Sequence, residues 1–487
     1  MRTFIPPSDR SRFSRARLTE SQNTETLIEE LTNNEQSPIQ EVNMKKNMYW
    51  ILGIFLCLAV FTTHSNAQTI TISTDTTWAA GTGPYTQTNL LINGATLTIG
   101  TGVIVKFNND GLLKVQAGGR IMATGATFTW ADGVNEWRGI EFVDGDSRSR
   151  LEDCIIEHAS GYDSISARAM VFIPESTDRS SSISIIGCTI GNGSALRGIN
   201  VIDSYPQILN NTISGFTSIT GFTGFGIFVT GNSAPLVAGN LITGNSRGIG
   251  IYSGAAGLYR ANRIQGNTDY GLYNNNLSSY PNIDARYNWW GDATGPTTDS
   301  NPGGTGDVIT AKVDFSPWAH SITDSEPDGM WDEWEMQQFS NLTTATAISD
   351  NDMDGLLDKD EFLYGTNPNN KDSDGDGVWD GREVQAGMNP ALAGDYDFDG
   401  DGDGYSNLRE VIAGTDPWNN TSIPAIFADG DPLPSGDGDV DGKDLAAFIA
   451  EFGSTNCTAC KYDLDADGDV DLADLFLFCE DFGRATS

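Results

Sequence analysis

Acidic side chains in the last third of the chain recur at spacings that suit a divalent cation. Four segments place oxygen-bearing residues at positions 1, 3, 5, 9 and 12 of a twelve-residue stretch, with glycine at position 6. Calcium takes about 6–8 oxygen ligands in a loop of this design, and the glycine permits a sharp turn. The predicted side-chain ligands are Asp324, Glu326, Asp328, Asp332 and Glu335; Asp350, Asp352, Asp354, Asp358 and Glu361; Asp372, Asp374, Asp376, Asp380 and Glu383; and Asp399, Asp401, Asp403, Asn407 and Glu410.

The residues that follow these acidic segments also recur. Three of them are followed at the same distance by Gly365-Thr-Asn-Pro368, Gly387-Met-Asn-Pro390 or Gly414-Thr-Asp-Pro417. An acidic disordered linker is the alternative, but four copies of one oxygen pattern favour metal loops that order when calcium neutralises them. Residues 321–424 resemble bacterial thrombospondin type 3-like repeats, and the resemblance implies a calcium-stiffened spacer.

Two further acidic stretches near the C-terminus each precede an apolar helical segment and a Phe-Gly pair. Residues 425–487 thereby resemble dockerin type I modules, which implies a calcium-folded unit that binds a cohesin-like protein. The first stretch lacks ligands at positions 1 and 3, so we expect weaker calcium binding there. The predicted side-chain ligands are Asp437, Asp441 and Asp444 in the first stretch, and Asp463, Asp465, Asp467, Asp471 and Asp474 in the second.

Negative charge is concentrated in the same third of the chain. The sequence has 66 acidic and 28 basic residues, for a net charge of −38. Residues 324–487 hold 39 of the acidic and seven of the basic residues, which leaves −32 there and −6 elsewhere. Because so little basic charge is available to neutralise phosphates, we predict that nucleic acids are not partners.

An apolar stretch near the N-terminus has the layout of a secretory signal. Met44-Lys45-Lys46 supplies the basic start, Tyr49 to Phe61 the apolar stretch, and Ser65-Asn66-Ala67 the small-x-small cleavage site. A membrane anchor is the alternative, but the stretch is shorter than the ~20 residues that span a bilayer. We predict a disordered extension or upstream mis-start at 1–43, a signal peptide at 44–67, and a secreted or cell-surface protein without a membrane span after signal removal.

Five cysteines follow the predicted cleavage site, in a compartment that permits disulfides. Cys154 and Cys188 take the place of asparagine in a repeated column of the middle region, and we predict buried, unpaired side chains there. Cys457 and Cys460 lack the second pair of ligands that a zinc site needs. The sequence instead favours a disulfide from one of them to Cys479.

The middle region contains short β-branched runs that recur about every 22–30 residues, as in a solenoid whose stacked coils bury one continuous core. Period-two alternation along these runs sends every second apolar side chain inward. Stacked asparagine side chains can also form hydrogen bonds along the axis. Two columns of tripeptides alternate along the chain, one starting at Cys154, Cys188, Asn211, Asn240, Asn262 and Asn288, the other at Arg138, Arg168, Arg197, Phe225, Arg247 and Tyr270.

These columns resemble the right-handed parallel β-helix repeat family, of the pectin-lyase-like fold. The most specific pieces are Trp137-Arg-Gly-Ile-Glu-Phe142 and Tyr287-Asn-Trp-Trp-Gly-Asp-Ala-Thr-Gly-Pro296, the second being similar to a terminal coil. A β-sandwich is the alternative, and it does not explain the two-column register. We therefore predict a mainly β protein, with a right-handed parallel β-helix at 68–320, calcium-binding loop repeats, and an α-helical loop–helix pair at the end.

One surface of this β-helix carries side chains suited to binding a saccharide. A column of arginines can hold an acidic polysaccharide, although a ladder that only covers the coil edge is the alternative. Outward-facing aromatic rings can stack on sugar rings. The predicted binding residues are Arg138, Arg168, Arg197, Arg247, Phe228, Tyr252 and Tyr273.

Relatives with this fold include enzymes, so catalysis has to be weighed. The outward positions of the arginine column contain no pair of carboxylates suited to glycoside hydrolysis. We expect an exported calcium-binding surface or matrix protein, whose β-helix presents a glycan- or partner-binding face and whose dockerin-like end attaches it to another protein. The alternative is a tethered polysaccharide lyase, hydrolase or epimerase that acts on the β-helix face.

Overall fold

Short parallel strands wind residues 69–320 into a β-helix, and six helices follow it. The computed structural model describes residues 69–483 except 134, 144, 147, 162–167, 175–182, 220, 392, 394–398, 400–401, 416, 418–420, 425–439, 456, 458–459 and 466. The predicted N-terminal extension and signal peptide lie outside the described residues. Within the described part of the chain, no helix is long and apolar enough to cross a membrane.

The strands alternate with tight turns that often place a residue in the left-handed region. In chain order they are β1 (Thr69–Ile72), β2 (Thr76–Trp78), β3 (Tyr85–Asn93), β4 (Thr96–Ile99), β5 (Ile104–Gln116), β6 (Arg120–Thr124), β7 (Thr127–Trp130), β8 (Gly139–Val143), β9 (Arg150–Glu152), β10 (Ile155–Glu157), β11 (Ala169–Ile173), β12 (Ser184–Ile186), β13 (Thr189–Gly191), β14 (Arg197–Ile202), β15 (Gln207–Leu209), β16 (Thr212–Ser214), β17 (Phe225–Thr230), β18 (Leu236–Ala238), β19 (Leu241–Thr243), β20 (Arg247–Ile251), β21 (Leu258–Arg260), β22 (Arg263–Gln265), β23 (Tyr270–Asn274), β24 (Ile283–Asp284), β25 (Pro296–Thr297), β26 (Gly306–Val308) and β27 (Val313–Asp314).

These strands stack into three faces, of which the sequence predicted two. Face 1 contains β8, β11, β14, β17, β20 and β23, and face 2 contains β7, β10, β13, β16, β19 and β22. The long strand β5 joins them, because its first part pairs with β7 and its second part with β8. Face 3 contains β2, β4, β6, β9, β12, β15, β18, β21, β24 and β27.

The core between the faces is apolar and in register from coil to coil. On face 1, for example, Ile199 pairs with Ile227 and Ile227 pairs with Ile249, and all three are fully buried. Burying an isoleucine side chain contributes about 1.5–3 kcal/mol. The stacked inward column therefore supplies the same stabilisation to each coil.

A ladder of buried asparagines runs along the axis, as the sequence predicted. The side-chain amides of Asn211, Asn240 and Asn262 each donate to the Oδ1 of the next asparagine, over 2.9, 2.9 and 3.0 Å, the last acceptor being Asn288. The same acceptors also receive backbone N–H groups. The buried amides of this ladder are thus paired within the solenoid itself, as buried polar groups generally are.

In the part of the chain that the structure describes, the helices all lie in the acidic third, each one after an acidic stretch. Helices α1 to α4 have seven residues each, and α5 and α6 have ten. Helices this short are marginal alone and depend on tertiary contacts. They are α1 (Asp332–Gln338), α2 (Asp358–Tyr364), α3 (Asp380–Ala386), α4 (Asn407–Ala413), α5 (Gly442–Glu451) and α6 (Leu472–Asp481).

Two apolar clusters organise these helices. The first contains Trp334 of α1 and Phe362 of α2 together with outward residues of face 3. The second joins Leu408 of α4 with Phe448 of α5 and Phe478 of α6. The last two helices therefore share a core with the acidic repeats that precede them.

The described cysteines form one disulfide and three free thiols, two of them buried. Cys154 and Cys188 are buried and free, which confirms the prediction for the β-helix. Cys457 is bonded to Cys460, whereas Cys479 is free and exposed, so the predicted disulfide to Cys479 is wrong. The reason lies in the position of Cys479 on the outer side of α6, while Cys457 and Cys460 both pack against the second apolar cluster.

Candidate functional site

The four predicted calcium loops share one backbone geometry. In each loop the aspartate at position 1 accepts a hydrogen bond from the N–H of the glycine at position 6, over 3.0–3.1 Å. The glycines have φ between 95° and 100°, which side chains rarely adopt. The pairs are Asp324 with Gly329, Asp350 with Gly355, Asp372 with Gly377, and Asp399 with Gly404.

A second hydrogen bond turns the aspartate at position 5 into the same loop. Its carboxylate accepts the N–H of position 7, as Asp354 does from Leu356 at 2.7 Å and Asp376 from Val378 at 3.0 Å. Carboxylate oxygens consequently converge in the first three loops. One oxygen from each member lies within 4.8 Å of the others in the groups Glu326, Asp332 and Glu335; Asp350, Asp352 and Asp354; and Asp372, Asp374 and Asp376.

The glutamate at position 12 of each loop is buried in the first turn of the following helix. Glu335, Glu361, Glu383 and Glu410 are all fully buried. Within the described residues, both carboxylate oxygens of Glu335 and one of Glu361 accept no hydrogen bond. Burial, followed by neighbouring carboxylates, raises the pKa of Glu335 to about 7 and that of Glu361 to about 9.

A cation explains this arrangement better than an apolar or proton-filled pocket. Several buried carboxylates facing one another are costly unless a positive charge compensates them. Hard oxygen ligands at this spacing suit calcium or magnesium rather than a softer metal. The residues present therefore fit calcium, with the glutamate at position 12 and the aspartates at positions 1, 3 and 5 as the group that would hold it.

The residue at position 9 has a different environment from the other predicted ligands. Both oxygens of Asp380 accept hydrogen bonds from Ser373, and both oxygens of Asp332 accept hydrogen bonds from Ser325. Asp358 likewise accepts the N–H of Asn351. These side chains close their loops, and position 9 often reaches calcium through a water molecule. Their direct ligation stays a prediction.

The fourth loop is only partly described, since Asp401 lies outside the described residues. Asp399 and Asp403 repeat the hydrogen bonds of the other loops. Asn407, at position 9, donates from its side chain to the carbonyl of Ala386 on α3, over 2.7 Å. This loop is therefore tied to the repeat before it.

The C-terminal pair is unequal in what can be described. Asp437 lies outside the described residues, while Asp441 and Asp444 form a capping box at the start of α5. Asp471 and Asp474 form the same box at α6. Matching caps indicate two copies of one loop–helix unit.

The second copy of the pair also contains a carboxylate cluster. Oxygens of Asp463, Asp465 and Asp474 lie within 4.8 Å of one another. Burial, with the charge of Asp474 as the next cause, raises the pKa of Asp465 to about 9. Asp467 belongs to the same loop and accepts the N–H of Asp469 at 2.9 Å. The second loop thus fits a cation by the same criterion as the four repeats.

The β-helix brings five of its seven predicted binding residues together on face 1. The guanidinium carbon of Arg197 lies 3.9 Å from the ring centre of Phe228, and that of Arg247 lies 3.7 Å from the ring centre of Tyr273. Arg247 also donates to the Tyr252 hydroxyl over 2.9 Å. Burial lowers the pKa of Arg197 to about 10, so it remains charged at neutral pH. We refer to these five residues as the aromatic–arginine surface.

The other two predicted arginines are not part of this surface. Arg138 lies two coils away, where its Nε is 4.0 Å from Asp110. Arg168 was placed in the column by a wrong register, because Ala169, not Arg168, pairs with Arg197. The repeated tripeptide does not fix the register by itself, because the connection between two short strands can be one residue longer or shorter. The sequence pattern therefore predicted the register of this coil wrongly.

Two aromatic residues that were not predicted as binding residues complete the surface. Phe225 pairs with both Arg197 and Arg247, and Tyr270 pairs with Arg247 in the next coil. Both rings therefore occupy the arginine column itself. Their position in the column of tripeptides was the available signal, because a parallel ladder stacks residues of equal register.

Comparison with known protein families supports the two main regions. Residues 138–292 match the family model described as right handed beta helix region. Residues 350–371, 372–393 and 399–420 match the bacterial TSP3 repeat, a calcium-binding repeat. The chain carries a β-helix followed by TSP3 repeats. No curated protein and no solved structure matches it.

Proposed function

We propose that this chain is an extracellular calcium-binding protein, with a ligand-binding β-helix and a C-terminal pair that attaches it to a partner. The observation that carries the proposal is the set of fully buried glutamates, Glu335 and Glu361 above all, whose oxygens face other carboxylates. In their ionised form such groups require a compensating positive charge. Calcium supplies that charge and tolerates the varied oxygen geometry of these loops.

The composition of the chain favours a calcium-rich environment outside the cell. The −32 net charge of residues 324–487 opposes compaction unless cations neutralise it. Extracellular calcium modules bind calcium with dissociation constants of about 10⁻⁴–10⁻³ M. Each loop therefore needs a lower calcium affinity than the loops of an intracellular sensor. The predicted signal peptide supports export.

Calorimetric titration of the calcium-stripped chain, combined with limited proteolysis, tests the proposal. We expect several binding events and protection of residues 324–483 when calcium is added. The β-helix should resist protease in both states, because its apolar core and its asparagine ladder form without any ion. Equal protease resistance of residues 324–483 with and without calcium would refute the calcium-binding function.

The aromatic–arginine surface supports glycan binding as the role of the β-helix. Its rings follow one another from coil to coil, with Phe228 and Tyr252 stacked at 4.9 Å and Tyr252 and Tyr273 at 5.8 Å. Rings stack on sugar faces, and the two arginines offer charge to uronate or sulfate groups. A protein ligand is the other possibility, and the surface would meet it with the same side chains.

Binding to a panel of acidic and neutral polysaccharides tests this role. Tyr252→Ala with Tyr273→Ala should weaken binding strongly, whereas Tyr280→Ala, an exposed ring outside the surface, should not. Salt should weaken binding if the arginines contact anionic groups. Polysaccharide binding that survives the double substitution unchanged would exclude this surface, and new chain ends would indicate the alternative, a tethered enzyme.

Attachment through the C-terminal pair is supported by its shape and exposed side chains. The helices α5 and α6 leave Ile449 and Leu472 about two-thirds exposed, at 63% and 60%. Exposed apolar side chains on a calcium-folded helix pair suit a protein partner such as a cohesin-like domain. Ile449→Asp with Leu472→Asp should abolish capture by immobilised cohesin domains, and failure of the unsubstituted chain to bind any would refute this role.

A further inference from the structure

The calcium repeats cover one side of the β-helix. Leu209, Ala238 and Ala261 belong to the coils of face 3, yet they are buried because α1 and α2 pack on them. From the helices, Trp334 and Leu363 enter the same cluster. A spacer would leave this strip open to water, so the contact calls for another explanation.

Helix α2 makes the closest contacts with face 3. The side-chain amide of Gln207 donates to the Tyr364 hydroxyl over 3.1 Å. Arg260 of β21 donates to the carbonyl of Gly365, which ends α2, over 2.7 Å. Gly365 has φ 78°, and a Cβ there would collide with the Arg260 guanidinium. Apolar and polar contacts therefore fix the end of α2 on the β-helix.

Helix α1 holds the first repeat against the second at the same place. The ring of Phe362 lies 5.3 Å from the rings of both Trp331 and Trp334, in edge-to-face geometry. Met330, at position 7 of the first calcium loop, is fully buried in the same cluster. The two repeats thus dock on face 3 as one unit.

Metal ligands and docking residues alternate within these two helices. Trp334 precedes Glu335, and Phe362 follows Glu361, so each seven-residue helix carries a buried carboxylate beside an apolar contact. Without a cation, the buried Glu335 carboxylate would lie beside those of Glu326 and Asp332. One oxygen of the buried Glu361 carboxylate would likewise have no hydrogen-bond partner. If the glutamate of such a short helix turns outward into solvent, the helix must turn with it, and its apolar side chains then leave face 3.

We propose that calcium in loops 324–335 and 350–361 holds these repeats on face 3 of the β-helix, and that calcium loss releases them and exposes an apolar strip. This inference rests on the proposed calcium-binding function. Because coupling between two equilibria is reciprocal, docking must in turn raise the calcium affinity of these two loops. The β-helix then acts on metal sites that none of its own side chains ligates.

Distance measurement in the full chain tests the docking. Spin labels on Ile348→Cys and Leu277→Cys, both highly exposed, would be placed in a Cys479→Ser background. We expect a narrow distance distribution with calcium and a broad one after chelation. Glu335→Gln with Glu361→Gln should broaden it even with calcium. A distribution that stays narrow after chelation, while calorimetry confirms calcium loss, would overturn the inference.

A matched variant on α3 shows whether the effect belongs to these two loops. Glu383→Gln removes the equivalent ligand of the third loop, whose helix packs in the second apolar cluster. It should reduce the calcium stoichiometry and leave the distance distribution narrow. Broadening as large as that of the Glu335 and Glu361 variant would overturn the assignment to loops 324–335 and 350–361.

The reciprocal arm changes the β-helix and measures calcium. Arg260→Met removes the contact with Gly365 but leaves Arg286 paired with Asp284. We expect a severalfold loss of calcium affinity at two sites, whereas Arg263→Met on face 2 should cause none. Unchanged affinity in Arg260→Met would contradict the coupling. Absence of calcium binding in the unsubstituted chain would instead refute the proposed function itself.

Discussion

The β-helix and the calcium repeats bury polar side chains in opposite ways. In the β-helix the Asn240 amide both donates to and accepts from its neighbours in the ladder, so each coil satisfies the next. In the repeats, carboxylates such as those of Glu361 and Asp352 lie close together and repel each other when no cation is bound. The asparagine ladder satisfies its buried amides with its own hydrogen bonds. The buried carboxylates of the repeats need a compensating positive charge instead.

This difference shows how one chain can combine a permanent and a conditional structure. Amides carry donors and acceptors and can close a ladder without any ion, whereas carboxylates are acceptors only. If calcium occupies the loops as proposed, the acidic repeats should respond to the calcium concentration, whereas the β-helix should not. The contact between α2 and face 3 joins the cation-dependent region directly to the β-helix.

The largest expected effect is an opposite pH response of the calcium-free and calcium-bound repeats. Burial raises the pKa of Glu335 to about 7 and of Glu361 and Asp465 to about 9, from ordinary values near 4. The folded calcium-free repeats thus keep protons that the unfolded chain has released, and their stability must fall as pH rises from about 4 towards 9. With calcium bound, protons compete for the ligands, so stability should rise over that range.

Thermal unfolding at pH 5 and pH 8, with and without calcium, measures this reversal. The β-helix provides the internal control. Arginines 260 and 286 offset the effect of burial and hold the pKa of Asp284 near 2, so this group is ionised at both pH values. Parallel pH slopes for the repeats with and without calcium would contradict the model of buried, cation-dependent carboxylates.

A smaller effect is expected at the ion pair between the repeats and the last helix. Arg409 of α4 and Asp481 of α6 are both fully buried, with Nη2 3.1 Å from Oδ2. Arg409→Met leaves the aspartate charge buried and should cost about 3–5 kcal/mol of stability in saturating calcium. Denaturant unfolding measures this loss. Adding Asp481→Leu should restore much of it, and a single variant as stable as the parent would show that the helices are not one unit.

The smallest effect concerns the asparagine ladder and should be independent of calcium. Asn240→Ala removes the acceptor for the backbone and side-chain N–H groups of Asn211. Each buried unsatisfied donor costs about 1–3 kcal/mol, so we expect a loss of about 2–4 kcal/mol in the β-helix transition. Asn109→Ala, at an exposed position of β5, is the control. A calcium-dependent loss in the Asn240 variant would undermine the contrast between the two regions.

Much of both regions could be predicted because their determinants are local. Twelve consecutive residues specify a calcium loop, and Asp372 to Glu383 adopts the predicted turn with Gly377 at φ 100°. The β-helix was predictable from columns of tripeptides for the same reason. Face 3 was missed because its strands have only two to five residues and contain no glycine or asparagine to mark their register, as in Gln207–Leu209.

By itself, the sequence determined the loops, two faces of the solenoid, the stacked asparagines and the acidic ligand sets that suit a hard cation. Only the tertiary structure decided that Ala169 stands where Arg168 was expected, that Cys457 pairs with Cys460, and that Tyr364 meets Gln207. The physical reason is the sequence distance between the residues in contact. Loop geometry follows from hydrogen bonds between near neighbours in the sequence. Docking depends instead on which apolar faces of distant segments remain uncovered after each segment has folded.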